Sequence, residues 1–157
     1  MEFGVFQGHS IQIISEKFFD RNVVGFDSFE GLPENWRPGF AKGSFDCKGQ
    51  LPLVRTNVTL IKGWFNKTIP NWLKNNKNNI SFVHIDCDLY SSTKTILSLL
   101  VGRISSGTVI VFDEFFNYPG WQDGEFKAFM EWVKDNGVNY DYIALMPSDE
   151  RVAIKIL

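Results

Sequence analysis

The 157-residue chain has little cysteine and histidine, two of each. Cys47 and Cys87 stand alone, and no pair of Cys or His has ligand spacing, which argues against a zinc site. Two isolated cysteines read as reduced thiols of a cytoplasmic protein rather than as a disulfide. There is no excess of one charge. Lys and Arg number 16 against 18 Asp and Glu, for a net charge of −2. No basic run exists, so a nucleic-acid partner is not expected. No apolar stretch approaches the roughly 20 residues that span a bilayer, so no membrane partner is expected. Met1-Glu-Phe-Gly4 leads straight into strand-like sequence, without a signal peptide. Without one, the acceptor-like triplets Asn57-Val-Thr59 and Asn66-Lys-Thr68 read as chance.

What is present is aromatic and apolar. Hydrophobic residues make up 44% and aromatics 15%, enough to build one domain over residues 1–157 with a sizeable core. Strand and helix signals alternate. Strands are expected at 2–6, 22–26, 58–62, 81–85 and 108–112. Helices are expected at 10–19, with Ser10 as cap, at 68–75, with Pro70 in the first turn, at 92–104 and at 125–135. The third has apolar residues at Ile96, Leu99, Leu100 and Ile104. The last two strands, 140–145 and 151–156, are joined by the short link Pro147-Ser-Asp-Glu150, which suggests an antiparallel pair. This alternation predicts an α/β fold with a doubly wound, mostly parallel sheet. A long Gly/Pro/Trp-rich loop spans Asp27 to about Asn57, a length that is usually functional.

Ligands of open α/β sheets bind beyond the carboxyl ends of the strands. Asp86-Cys87-Asp88 and Asp113-Glu114 both lie there, each after a short apolar run. Carboxylates converging from two strands need a counter-charge, and a divalent cation is the simplest. Hard oxygen donors select Mg²⁺, Mn²⁺ or Ca²⁺ over zinc. Asp86 and Asp88 share a face if the strand runs on through them. The alternative is that Asp88 caps the following helix. His84 points the same way as Asp86, and a satisfied buried histidine is the simpler reading. Upstream, Glu2-Phe-Gly4-Val-Phe-Gln-Gly8-His-Ser10 is a strand, a glycine turn and a helix start. Gly4 and Gly8 would let a ligand approach the backbone, and the helix N-terminus favours an anionic group. A tight connection made for packing is the alternative. The motif is neither Gly-x-Gly-x-x-Gly nor a phosphate loop, which disfavours NAD and ATP. Asp27, about twenty residues on, suits a ribose diol; a loop cap is its alternative. Gly63-Trp64-Phe65 could form an adenine-sized slot, or simply pack in the core.

Taken together, these motifs resemble class I S-adenosylmethionine-dependent methyltransferases, specifically the macrocin O-methyltransferase (TylF/MycF)-like group. The resemblance rests on Glu2–Ser10, Gly25-Phe-Asp-Ser-Phe-Glu-Gly-Leu-Pro33, His84-Ile-Asp-Cys-Asp-Leu-Tyr-Ser-Ser-Thr93 and Phe112-Asp-Glu114, with Phe126-Lys-Ala128 and the final strand pair also fitting. It implies a Rossmann-like seven-stranded sheet with an antiparallel C-terminal pair. It implies that Glu2, Gly4, Phe6, Gly8, Ser10, Asp27, Ser28, Gly63, Trp64, Phe65 and Asp86 surround S-adenosylmethionine, with S-adenosylhomocysteine as product. Asp27 would hold the ribose, and Gly63, Trp64 and Phe65 would lie near the adenine. Asp86, Asp113 and Glu114 would bind Mg²⁺ or another divalent cation. The acceptor would be a hydroxylated small molecule such as a sugar. The lysine that follows the first metal aspartate in the catechol branch is replaced by Leu89, which leaves Asp86 and Asp88 as candidate catalytic bases. Relatives carry a helical segment before the first motif. It covers the cofactor and often builds a homo-oligomer, and this chain begins on the first strand. Two other functions are weighed. One is a metal-dependent glycosyltransferase using Asp86-x-Asp88, which leaves the glycine turn and Asp113-Glu114 unexplained. The other is a shortened relative that binds cofactor without turnover.

Overall fold

The apolar runs become strands in the computed structural model, which describes residues 1–157. The strands are β1 Glu2–Phe3, β2 Val23–Asp27, β3 Val58–Lys62, β4 Phe82–Ile85, β5 Val109–Phe112, β6 Tyr140–Leu145 and β7 Val152–Ile156. The helices are α1 His9–Lys17, α2 Phe65–Asn75, α3 Tyr90–Leu100 and α4 Glu125–Asn136. The seven strands form one sheet in the order β3-β2-β1-β4-β5-β7-β6. The β1–β2, β2–β3 and β4–β5 pairs are parallel, and β7 runs antiparallel to both β5 and β6. The expected α/β, mostly parallel sheet with an antiparallel C-terminal pair is therefore present. No helix is long and apolar enough to cross a membrane. The chain divides into two compact units, Met1–Thr68 and Ile69–Leu157.

In the first unit, β2 pairs in register with β3 along its whole length, from Val23 opposite Val58 to Asp27 opposite Lys62. Val5, Ile11, Val23 and Phe29 form a buried cluster with Ile14, Val54, Val58 and Leu60 against it. Gly25 makes this packing possible. A Cβ there would sit 2.5 Å from Ile11 Cδ1 and 2.8 Å from Val5 Cγ2. The expected first strand shortens to Glu2–Phe3, because Gly4 and Phe6 turn the chain at φ 89° and 47°. Ser10 is the second residue of α1, not its cap. Gly8 holds the cap position, with φ 83° and no side-chain hydrogen bond. The C-terminal end of α1 is closed by Asn57, whose Nδ2 donates to the carbonyls of Ser15, Phe18 and Arg21. The amide of that glycosylation-like triplet is thus committed to structure. The helix expected at 68–75 begins earlier, at Phe65, so Pro70 lies inside it and not in its first turn.

In the second unit, β4 and β5 pair over four residues each, and β7 continues the sheet with Phe112 opposite Val152. Ile96, Leu97 and Leu100 of α3 are fully buried. Leu99 is only half-buried, and Ile104 lies beyond the helix end. α4 is closed by Gly137 in the left-handed conformation, φ 62°. An aromatic cluster lines its buried side. Phe129 packs on Phe112 at 5.3 Å and on Tyr140 at 4.9 Å between ring centroids. A bulge between Tyr142 and Ala144 interrupts the β6–β7 ladder.

Candidate functional site

The carboxylate at the end of β2 organises the first unit. Asp27 Oδ2 accepts the backbone N–H of Val5 at 2.7 Å and of Phe6 at 2.8 Å, and Oδ1 accepts that of Phe29 at 2.7 Å. Phe6 and Phe29 both have positive φ, 47° and 56°. Such conformations cost about 1–3 kcal/mol each, and charge-assisted hydrogen bonds of about 1.5–3 kcal/mol offset them. Asp27 therefore does cap the glycine turn and the start of the long loop. A carboxylate offers about four lone-pair sites, so these three bonds leave acceptor capacity over.

The long loop carries no helix or named strand, but it is firmly tied. Glu30 bridges Asp46, Leu32 N–H donates to the Ser44 carbonyl at 2.9 Å, and Lys62 Nζ donates to the Gly49 carbonyl at 2.8 Å. Ser28 is buried and accepts the Glu30 N–H at 3.1 Å. What approaches Gly8 is Pro52 of this loop, which would lie 3.1 Å from a Cβ. The space left open by Gly8 is therefore filled by the chain itself. Phe6 meets Phe45 edge-on at 5.5 Å. Gly63 has φ 133° and donates its N–H to the Asp27 carbonyl at 2.8 Å. Trp64 is exposed beside it, and Phe65 turns inward against Phe3 at 5.6 Å. Trp64 is thus placed to border a planar ligand, whereas half-buried Phe65 has one edge-on contact with Phe3. Glu2 is fully buried.

The second unit gathers the carboxylates. One oxygen each of Asp86, Asp113 and Glu114 lies within 4.8 Å of the others. Strand pairing accounts for this. The β4–β5 ladder ends at Ile85 opposite Phe112, and the Asp113 N–H donates to the Ile85 carbonyl at 2.9 Å. Three hard oxygen donors suit Mg²⁺, Mn²⁺ or Ca²⁺. Glu114 Oε2 is buried without a hydrogen-bond partner, an orphan acceptor that such an ion would satisfy. Asp88 does not share a face with Asp86. β4 stops at Ile85, and Asp88 takes a left-handed turn, φ 65°, into a buried position. The N-cap position of α3 is Leu89, one residue after Asp88.

The sequence reading missed a counter-charge already present. Arg151 donates through Nε to Asp113 Oδ1 and through Nη2 to Oδ2 at 3.2 Å, while its Nη1 binds Asp149. His84 Nε2 lies 3.7 Å from Asp113 Oδ1, so this histidine is satisfied by a carboxylate, as expected of a buried one. Burial alone would raise the Asp113 pKa. The hydrogen bonds from His84 and Arg151 outweigh it and hold the carboxyl well below the usual carboxylate range. Glu114 moves the other way, raised by burial and then by the neighbouring Glu125. Opposite shifts in adjacent carboxyls mark functional sites more often than chance. The signal for Arg151 lies in strand register. Phe112 pairs with Val152, so Asp113 and Arg151 are the next residues across the β5–β7 ladder.

Comparison with known proteins agrees with the fold. A family profile described as a methyltransferase domain matches residues 1–115. Demethyldecarbamoylnovobiocin O-methyltransferase of Streptomyces niveus is 24% identical over a 145-residue alignment that covers 80% of this chain and 52% of that protein. An 8-demethyl-8-(2,3-dimethoxy-alpha-L-rhamnosyl)-tetracenomycin-C 4'-O-methyltransferase of Streptomyces olivaceus is 27% identical over 116 residues, covering 60% of this chain and 42% of that one. The chain thus spans about half the length of these curated relatives. Among solved structures, the calicheamicin methyltransferase CalS11 matches with a TM-score of 0.78 at 23% identity, over 99% of this chain and 70% of that chain. With the profile covering most of the chain, the chain belongs to the methyltransferase domain family.

Proposed function

We propose that this domain transfers a methyl group from S-adenosylmethionine to a hydroxyl of a sugar or other natural-product-like small molecule, with help from a divalent cation, as a TylF/MycF-like O-methyltransferase. The observation that carries the reading is the convergence of Asp86, Asp113 and Glu114 oxygens within 4.8 Å in a chain of this family. The names of the Streptomyces relatives support a glycosylated or hydroxylated acceptor.

In this reading, Asp27 fixes the glycine turn and offers its remaining lone pairs to the ribose. Gly4 and Ser10 line the methionyl end, and Trp64 borders the adenine. S-adenosylmethionine supplies an activated methyl on a sulfonium. The acceptor oxygen would form the new bond to the methyl carbon as the carbon–sulfur bond breaks, and the electron pair of that bond would stay on sulfur. Asp86, Asp113 and Glu114 would hold a hard cation, which would supply acidification of an acceptor hydroxyl. Asp86, a member of the carboxylate cluster, would take the hydroxyl proton, with Asp88 the second candidate. Holding acceptor and donor in line contributes up to roughly 7–11 kcal/mol.

The test is Asp113→Ala, with methyl transfer to hydroxylated acceptors followed with and without Mg²⁺. Loss of Mg²⁺-dependent turnover supports the reading, and unchanged metal-independent turnover removes the cation's role. Tight S-adenosylhomocysteine binding with no turnover on any acceptor tried would favour a non-catalytic cofactor-binding domain. The glycosyltransferase alternative leaves the glycine turn and the Asp113-Glu114 pair unexplained, and stabilisation by a UDP-sugar with Mn²⁺ would favour it.

A further inference from the structure

Phe3, Phe26 and Phe29 of the first unit are core residues, each at most 1% exposed. Four other aromatics of that unit are not, and they touch one another in a row. Phe6 meets Phe45 edge-on at 5.5 Å, Phe45 stacks on Phe40 at 5.4 Å with 19° between the ring planes, and Phe40 meets Trp36 at 5.1 Å. Phe6, Trp36 and Phe40 are half-buried, and Phe45 is 37% exposed. The Arg37 guanidinium lies 4.0 Å from the Trp36 ring centroid and 5.6 Å from that of Phe40.

Packing accounts poorly for this row. Phe6 and Phe45 both hold left-handed backbone, φ 47° and 65°, which bulky side chains rarely adopt. Such conformations cost about what the ring contacts return. Rings left partly in water also bury little apolar surface. The turns that carry the rings are nonetheless fixed. The Trp36 N–H donates to the Phe40 carbonyl at 3.0 Å, the Phe40 N–H donates to the Arg37 carbonyl at 2.9 Å, and the Phe6 N–H is held by Asp27. Rings held still with part of their surface open are pre-organised for a ligand.

Position and polar neighbours identify that ligand. Phe6 lies in the Gly4–Ser10 turn, which the proposed function gives to the methionyl end of the donor, so the row starts beside the methyl group. Asp46 follows Phe45 and is exposed. Its Oδ1 accepts the Lys48 N–H at 2.6 Å, which leaves acceptor capacity on the carboxylate. Ring surface beside a carboxylate and a guanidinium suits a pyranose, which has an apolar C–H face and a rim of hydroxyls. A planar polyaromatic would use the rings and leave the charged groups idle.

We propose that Phe45, backed by Phe40 and Trp36, is the platform on which a sugar ring of the acceptor stacks, with Asp46 accepting from its hydroxyls. That this sugar receives the methyl group rests on the function proposed above; sugar binding by the row does not.

The test titrates the whole chain, with and without S-adenosylhomocysteine, with methyl α-L-fucoside and methyl α-L-rhamnoside, followed by NMR. Sugar C–H protons are expected to shift upfield, as protons over an aromatic face do. Phe45→Leu keeps apolar bulk and removes the ring. It is expected to weaken glycoside binding about fivefold or more, with S-adenosylhomocysteine affinity within about twofold of wild type. Phe45→Tyr is expected to retain glycoside binding. Unchanged glycoside affinity in Phe45→Leu would overturn the platform, and so would a loss matched by an equal loss of S-adenosylhomocysteine affinity, which marks a structural role. Should Phe45→Leu fail to fold, Asp46→Ala decides instead: glycoside binding weaker by about threefold or more sustains the proposal, and unchanged binding overturns it. A wild type that binds S-adenosylhomocysteine but neither glycoside overturns the platform and leaves the methyltransferase reading standing. A wild type that binds a glycoside through Phe45 but no S-adenosylhomocysteine sustains the platform and removes that reading.

Discussion

Replacing Arg151 by Met probes how the carboxylate cluster is held together. The guanidinium makes a two-bond contact with Asp113 and a further bond to Asp149. Hydrogen bonds to charged groups contribute about 1.5–3 kcal/mol. The Arg151 side chain is 43% exposed, so solvent screens the contact and the lower end applies. A loss of about 1.5–2 kcal/mol, at 2–4 °C per kcal/mol for a domain of this size, lowers Tm by roughly 3–8 °C. The contribution has a pH window. Asp113 is depressed in the folded state, so the stability it provides is present above the unfolded carboxyl value near pH 4 and is lost as pH falls through the folded value. The variant should lose part of that acid sensitivity, because the hydrogen bond from His84 still depresses Asp113. Cation binding should change in the opposite sense. A positive charge about 6 Å from a divalent ion repels it by about 1.4 kcal/mol even at the dielectric of water, and by more in a protein. Arg151→Met should therefore bind Mn²⁺ at least about tenfold tighter, and saturating Mn²⁺ should recover the lost Tm. Melts and calorimetry across pH 3–8, with and without Mn²⁺, measure all of this. A variant that binds Mn²⁺ more weakly than wild type would refute the reasoning, because Arg151 would then be building the site and not neutralising it.

Two further outcomes are expected. In Asp27→Asn, a single carbonyl oxygen cannot serve Phe29 on one side and Val5 and Phe6 on the other. Stability should fall by about 1.5–3 kcal/mol and S-adenosylhomocysteine affinity at least about tenfold, read by melting and calorimetry; unchanged affinity would remove Asp27 from the cofactor site. Cys47 has its pKa raised by burial, then by Asp27 and Asp46. Only the thiolate alkylates, so iodoacetamide should modify Cys47 more slowly at pH 8 than an unperturbed peptide thiol, with the rate rising into more alkaline solution and Asp46→Asn speeding it.

How far the sequence carried depends on where local chemistry decides the outcome. β3 at Val58–Lys62 and β6 at Tyr140–Leu145 have the bounds expected of them. Asn57 and Gly63 bracket β3, and a Pro-containing turn closes β6. The alternation of strands and helices and the antiparallel last pair were equally legible. The misses are long-range. β1 ends early because Asp27, over twenty residues away, pulls the Val5 and Phe6 amides into a turn. Ser10 loses the cap position to Gly8, whose left-handed conformation a serine tolerates poorly. Asp88 was placed by extending β4, but the strand stops when its partner does. The acidic pair Asp86 and Asp113 was found because both follow apolar runs. The counter-charge of Arg151 was not legible, because it meets Asp113 only once the β5–β7 register is known. Glu125 looked like an ordinary first-turn acid of a helix, and nothing local reveals that it points inward.

Binding of S-adenosylhomocysteine to the wild-type domain tests the central claim most directly. At one hundred times Kd, a ligand that binds only the folded state stabilises it by about 2.7 kcal/mol, a Tm rise of roughly 5–11 °C. The account predicts that rise with S-adenosylhomocysteine, and none with a UDP-sugar plus Mn²⁺ beyond that of Mn²⁺ alone. No shift with S-adenosylhomocysteine, together with stabilisation by the UDP-sugar and Mn²⁺, would contradict it.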